Sequence, residues 1–223
     1  MKKVILSIML CCGVLLHGQT PKKFTNEQKR EIEVIVHDYL INNPEILPEI
    51  VQSLQEKKLT EMQIKAVEVI KQNAAQIFAS KSPYLGSKDG PVYIVEFLDY
   101  NCPHCRTMHS KMTDILADNK EVTLVIKEFP VLGDASVYAA KAALAAEKQG
   151  KFAEMHNALM SEKVLLTNSL VIEIARRVGL NIALLEQDMK LVEPELQEVK
   201  EIATKIGIQA TPALILSVVR QVE

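Results

Sequence analysis

Val92-Tyr93-Ile94-Val95-Glu96-Phe97-Leu98 restricts the fold of this chain more than any other segment. It is β-branched and aromatic, of strand length and nearly continuous in apolar character, so both of its faces must be covered. A helix is expected from about Pro103 to Asp118, and a second buried strand from Val122 to Lys127, closed by Phe129-Pro130 and the turn at Leu132-Gly133-Asp134. Strand, helix and strand in that order predict a parallel, right-handed crossover. Short helices follow at Ser136–Lys148, Lys151–Met160, Asn168–Val178 and Ile182–Met189, separated by Gly150, Thr167 and Gly179, and together they read as a helical insertion over about residues 135–190. A last helix over about Glu195–Ile206 ends at Gly207 as its C′ residue, and Thr211-Pro212 introduces a final strand, Ala213–Val218.

Upstream the pattern is helical. Thr25-Asn26-Glu27-Gln28 fits a capping box, with Thr25 accepting from the Gln28 backbone and Gln28 reaching back. Ile32, Ile35, Val36, Tyr39 and Leu40 recur on one face until Asn42-Asn43-Pro44 stops the helix. A second helix is expected from about Glu45 to Ala79, reaching about 50 Å at the rise of an α-helix. So long an irregular apolar stripe, from Ile50 to Ile77, exceeds what one small domain can cover. Residues 24–79 therefore read as an arm that packs against a copy of itself, or else folds back on its own domain. The turn formers of Ser82–Gly90 mark the boundary to the domain at residues 82–223.

Composition removes other classes. With 223 residues, 48% of them hydrophobic, and 8 Gly and 9 Pro, the chain is neither disordered nor collagen-like. A net charge of −2 gives no reason to expect nucleic acid or an anionic membrane as partner. The first residues, Met-Lys-Lys followed by the apolar run Val4–Leu16 and a small Gly18, follow the plan of a signal peptide over residues 1–18. An uncleaved anchor is the second reading. Removing that segment also removes Cys11 and Cys12, leaving Cys102 and Cys105 as the only thiols of an exported chain in an oxidising compartment.

Cys102-Pro103-His104-Cys105 lies where the strand hands over to the helix. A thiol attacks a disulfide as thiolate, and a helix N-terminus offers unpaired N–H groups and the positive end of the dipole to hold that charge. Cys102 is thus the expected nucleophile, with a depressed pKa, and Cys105 the resolving thiol one turn further in. His104 can stabilise the thiolate through its charge or ring N–H, and Pro103 fits the first turn, where its missing N–H costs nothing. Two other uses of such a pair stand beside this one. Zinc needs four ligands, and His104 and His109 could complete a site only from the same short stretch; a structural disulfide closing so short a loop would add little stability. Thr211-Pro212 suits a cis turn that lets the preceding backbone face an extended client, and equally suits ordinary loop chemistry.

These parts together resemble the DsbA family of thiol-disulfide oxidoreductases, which has a thioredoxin-like fold. The resemblance runs from about Pro83 to Pro212 and rests on Cys-Pro-His-Cys, the strand Val95-Glu96-Phe97 ahead of it, Lys127-Glu128-Phe129-Pro130-Val131-Leu132-Gly133, the alanine-rich helix and Thr211-Pro212. It implies an α/β domain whose Cys102 and Cys105 alternate between dithiol and disulfide, with Thr211 and Pro212 as the cis-proline element that binds clients. Glu96 and Lys127 match family positions beneath the site, with proton transfer or pKa tuning as their implied role and a buried ion pair as the plain alternative. Asp99 is expected to cap or line the rim, and His109 to lie on the helix surface.

The arm resembles that of the Com1-like and ScsC-like groups, which often self-associate through it, and threonine before the cis-proline is common in the isomerase DsbC group. The resemblance therefore implies a periplasmic oxidase with scope for isomerase activity. It needs no cofactor and no metal. Its partners would be unfolded or misoxidised secreted proteins, a membrane or periplasmic redox partner that resets the dithiol, and further copies of itself through residues 24–79. The competing function is a chaperone-like or surface-associated client-binding protein without turnover. One departure from the family is expected: Ser217–Glu223 is too short for the usual edge strand and C-terminal helix, so the domain reads as lacking both.

Overall fold

The computed structural model describes residues 24–78, 82–88 and 90–218. The expected signal peptide, residues 1–18, lies outside these. Among the described residues no helix is long and apolar enough to cross a membrane.

The described residues divide into two compact units, one up to Lys57 and the other from Lys58 onward. In the first, helix α1 (Asn26–Asn42) begins at the expected capping box: Gln28 N–H donates to Thr25 Oγ1 at 3.2 Å, and Thr25 N–H to Gln28 Oε1 at 3.0 Å. Helix α2 (Ile46–Gln72) follows, and neither helix contains a buried residue. The sequence predicts one continuous helix to Ala79. Instead it breaks at Asn73, whose side chain donates to the Val69 carbonyl at 2.7 Å, and a short α3 (Ala74–Ile77) follows. The division into units falls inside α2 rather than at Ser82–Gly90, and there is a packing reason. Ile77 is fully buried, and Ile70 and Phe78 pack with it against Val95, Phe97 and Phe129. Burying one such side chain is worth about 2 kcal/mol, so the end of the expected arm is part of the second unit's core.

That core is built on a four-stranded sheet of order β1-β3-β2-β4. Strands β2 (Val92–Leu98) and β3 (Val122–Glu128) pair in parallel, joined by α4 (Pro103–Asp118), as the apolar runs predict. Strand β4 (Ala213–Val218) pairs antiparallel with β2. Strand β1 (Tyr84–Gly86), antiparallel to β3, was not legible among the turn formers around it. Gly86 ends it with φ +82°, and a Cβ there would meet the Val122 carbonyl oxygen at 2.6 Å. Only glycine fits so close an approach at positive φ.

Alternation along the strands splits the core in two. Ile94, Leu98, Leu124 and Ile126 face α4 and the helical insertion, α5 (Asp134–Glu147), α6 (Phe152–Met160), α7 (Asn168–Arg177) and α8 (Ile182–Asp188). Val95, Phe97 and Val125 face α9 (Glu193–Ile206) and the end of the arm. Helix α9 ends at Gly207, which is left-handed at φ +88° as a C′ residue should be.

Candidate active site

The strand-to-helix junction places the two thiols differently. Cys102 is the N-cap of α4 and Pro103 its first residue. Both cysteines are free thiols, with Cys102 5% exposed and Cys105, one turn further in, fully buried. The Cys102 thiol donates to the Thr211 carbonyl at 3.3 Å, and Thr211-Pro212 is a cis peptide. The two sequence elements, 109 residues apart, therefore meet at the sulfur.

Electrostatics separates the pair further. Burial raises the Cys102 pKa, but hydrogen bonds to its sulfur from the Thr211 side chain, from Cys105 and from the His104 backbone outweigh it, and the net shift is downward. Burial pushes Cys105 up to about 12, with the neighbouring Cys102 adding to the rise. One thiol thus ionises more readily than an ordinary cysteine and the other holds its proton. His104 acts on Cys102 through its backbone, while its side chain lies exposed.

The junction is held by two buried polar side chains. Asp99 is 1% exposed and accepts three backbone N–H groups: Asn101 at 2.7 Å, Val131 at 2.8 Å and Leu132 at 2.9 Å. Its own carbonyl accepts from Cys102 N–H at 3.0 Å. Asn101 Oδ1 accepts from Leu166 N–H at 2.7 Å and its amide donates to the Leu166 carbonyl at 3.4 Å, which ties the residue before Cys102 to the helical insertion. Arg106 closes the loop by donating to the Tyr100 carbonyl at 2.9 Å. The sequence suggested a cap or rim position for Asp99. The structure gives it the joining of two loops.

Glu96 and Lys127 do not sit together. Glu96 pairs in register with Ile126 and Lys127 with Phe97, so the two side chains leave opposite faces of the sheet. The ion pair is therefore not formed. Glu96 is 2% exposed, on the face shared with the cluster that contains both cysteines; burial raises its pKa from 4.5 to about 7, and its Oε1 has no hydrogen-bond partner among the described residues. Lys127 donates to the Gln76 carbonyl at 3.0 Å and to Ser82 Oγ at 2.7 Å. It lines a cavity of about 290 Å³ with Glu195 and Glu198 on the far face. There burial lowers its pKa, and the two carboxylates oppose that.

His109 is half-buried rather than on the surface, with its ring centroid 5.1 Å from that of His156. His156, Tyr100 and Glu128 form a buried polar group that sequence reasoning missed. One signal was available: Lys127 and Glu128 are adjacent in a strand buried on both faces, so one of the two charges had to point to each side. Among the described residues no group of three or more His, Cys, Asp or Glu side chains is placed to hold a metal ion.

Comparison with known proteins agrees with this geometry. The family described as Thioredoxin matches residues 79–219. The chain belongs to the thioredoxin family. Residues 28–58 match the family described as Copper resistance protein ScsC N-terminal domain. Among solved structures, a thioredoxin-like oxidoreductase from Silicibacter pomeroyi DSS-3 is 37% identical with a TM-score of 0.63, the match covering 65% of this chain and 86% of that one. ScsC of Proteus mirabilis in a transitional conformation is 31% identical with a TM-score of 0.63, over 87% of this chain and 89% of that one. Within the thioredoxin family the chain thus resembles the DsbA/ScsC-like thiol-disulfide oxidoreductases, with the α/β fold and helical N-terminal region the sequence predicts. A curated relative, Na(+)/H(+) antiporter NhaA 3 of Salinispora tropica, is 34% identical over 100 residues; the match spans 44% of this chain and 15% of that protein's length.

Proposed function

We propose that this chain works in the periplasm as a protein thiol-disulfide oxidoreductase that introduces disulfide bonds into exported client proteins and isomerises wrongly paired ones. The observation that carries the reading is the unequal pair at the head of α4, a Cys102 held toward its thiolate beside the Thr211 carbonyl and a Cys105 held protonated at about 12. Favouring the Cys102 thiolate stabilises the reduced pair and makes the disulfide an oxidant.

In oxidation a client thiolate attacks Cys102 of the Cys102–Cys105 disulfide. The new bond joins client and Cys102 sulfur, and Cys105 leaves as a thiolate that needs a proton. Glu96, with a pKa of about 7 on the same sheet face, is the donor. A second client thiolate then displaces Cys102, so the client loses two electrons and the pair gains two. A membrane or periplasmic redox partner takes those electrons and restores the disulfide. In isomerisation the Cys102 thiolate attacks a wrong client disulfide and is released when a client thiol re-pairs. An extended client chain would lie along the Thr211 backbone, whose carbonyl is 3.3 Å from the Cys102 sulfur. The exposed apolar side chains of residues 24–57, the part of the expected arm 24–79 that lies outside the second unit, are the surface through which copies associate.

The test is refolding of a reduced client and, separately, of a scrambled one by the exported chain and by Cys102→Ser. The unaltered chain restores client activity in both assays, and Cys102→Ser loses both. Client binding with equal refolding by the two proteins would leave the chaperone-like function in its place.

A further inference from the structure

The steps above use Cys102, Cys105 and Glu96, and leave a second set of buried titratable groups on the same face unused. Glu128, the last residue of β3, pairs in register with Leu98 and so shares the face of Ile126 and Glu96. It is 2% exposed, and its Oε1 accepts from the Tyr100 hydroxyl at 2.7 Å. Tyr100 Oη lies 3.0 Å from His156 Nδ1, and both residues are at most 1% exposed. A phenol has one hydrogen, which goes to Glu128, so the imidazole must donate from Nδ1 and keep Nε2 as an acceptor. The bonds then run one way, from His156 to Tyr100 to Glu128. At the outer end the His156 ring meets half-buried His109. At the inner end Glu128 Oε2 and Glu96 Oε1 are both buried carboxyl oxygens without a hydrogen-bond partner among the described residues, on diagonal positions of neighbouring strands.

We propose that His109, His156, Tyr100 and Glu128 form a proton path that reloads Glu96 from solvent each time the redox pair is reduced. It rests on the oxidoreductase reading above. Glu96, having given its proton to the Cys105 thiolate, receives the hydrogen on Glu128 Oε2. Glu128 Oε1 takes the Tyr100 hydroxyl hydrogen, Tyr100 takes the hydrogen from His156 Nδ1, and His156 takes one from the His109 side at Nε2. Each relay group ends with the protons it began with, and one proton has moved inward.

The charge states suit such a relay. Burial, with the Tyr100 hydrogen bond opposing and the charges of Asp99, Glu195 and Glu96 adding, holds Glu128 well above the usual carboxyl range and favours its protonated form. Burial and then His109 push His156 down to about 3, so it too rests neutral. The groups facing the path from the elements around it are Glu96 on β2, Asp99 in the loop before α4 and His109 on α4, while Glu195 on α9 acts on Glu128 only by its charge from the far side of the sheet.

The experiment reduces the oxidised full chain with excess glutathione by stopped flow between pH 5.5 and 8.5, for the unaltered chain and for Tyr100→Phe, with far-UV circular dichroism as the check of fold. Above pH 7, where Glu96 rests ionised, Tyr100→Phe slows reduction about tenfold. Below pH 6, where Glu96 already holds its proton, the loss is under twofold, and imidazole buffer restores the rate at high pH. A rate within twofold at every pH, or a uniform loss that imidazole does not restore, overturns the path. If Tyr100→Phe does not fold, the unaltered chain in D₂O decides. Reduction above pH 7 slowed at least twofold supports the path, and no slowing overturns it. Absence of any thiol exchange by the unaltered chain overturns the oxidoreductase reading, and the path with it.

Discussion

At the residue scale the decisive contrast is between two thiols three positions apart. Cys105 is pushed up to about 12 and Cys102 lowered, so iodoacetamide at pH 6.5 should label Cys102 at least tenfold faster than Cys105, checked by mass spectrometry of the reduced chain. Overlapping labelling rates would refute the asymmetry. Glu96 makes stability depend on pH. Its pKa is raised from 4.5 to about 7 in the folded chain, so the native state binds more protons between those values and stability falls as pH rises through that window. Glu96→Gln removes the buried charge and should stabilise the fold at pH 8 by about 3 kcal/mol, a gain that vanishes below pH 4.5. Urea unfolding at the two pH values measures it. The identity and order of these residues were legible in the sequence, because a cysteine at a helix start behaves by rules of local geometry. The Tyr100–Glu128–His156 group was not, since it joins residues 28 and 56 positions apart that only the packing of α6 against the sheet brings together.

At the scale of elements, the apolar runs of β2 and β3, buried on both faces, the shorter run of β4 and the caps of the helices set their bounds to within a few residues. Two features escaped. Strand β1 has three residues, too short for a pattern, and is held by pairing with β3 rather than by its own propensity. The break at Asn73 answers to the core beneath Ile77, not to any helix breaker in the sequence. The loops are coupled through one side chain: Asp99 satisfies backbone groups of both the β2–α4 and the β3–α5 connections. Asp99→Ala strands three N–H donors in or near the core and should cost about 3 kcal/mol, read from the midpoint of denaturant unfolding. A loss below about 1 kcal/mol would mean that the loops hold their shape without it.

At the scale of the whole molecule, the first unit presents apolar side chains with little to cover them: Ile35 is 66% exposed and Ile41 67%. Association between copies is the way such a surface leaves water. Replacing Ile35 and Val51 with glutamate in the full chain should reduce the mass found by light scattering to that of one chain while leaving the Cys102 labelling rate unchanged; an unaltered mass would exclude this surface. In the second unit the sheet acts as a partition. Glu96 lies on one side and Lys127 on the other, and burial is what raises the Glu96 pKa. The consequence is one of inheritance. Substitutions at the two positions should carry no pairwise epistasis, so acid and base can drift along a lineage as separate single-residue traits, one answering to redox chemistry and the other to the packing of α9.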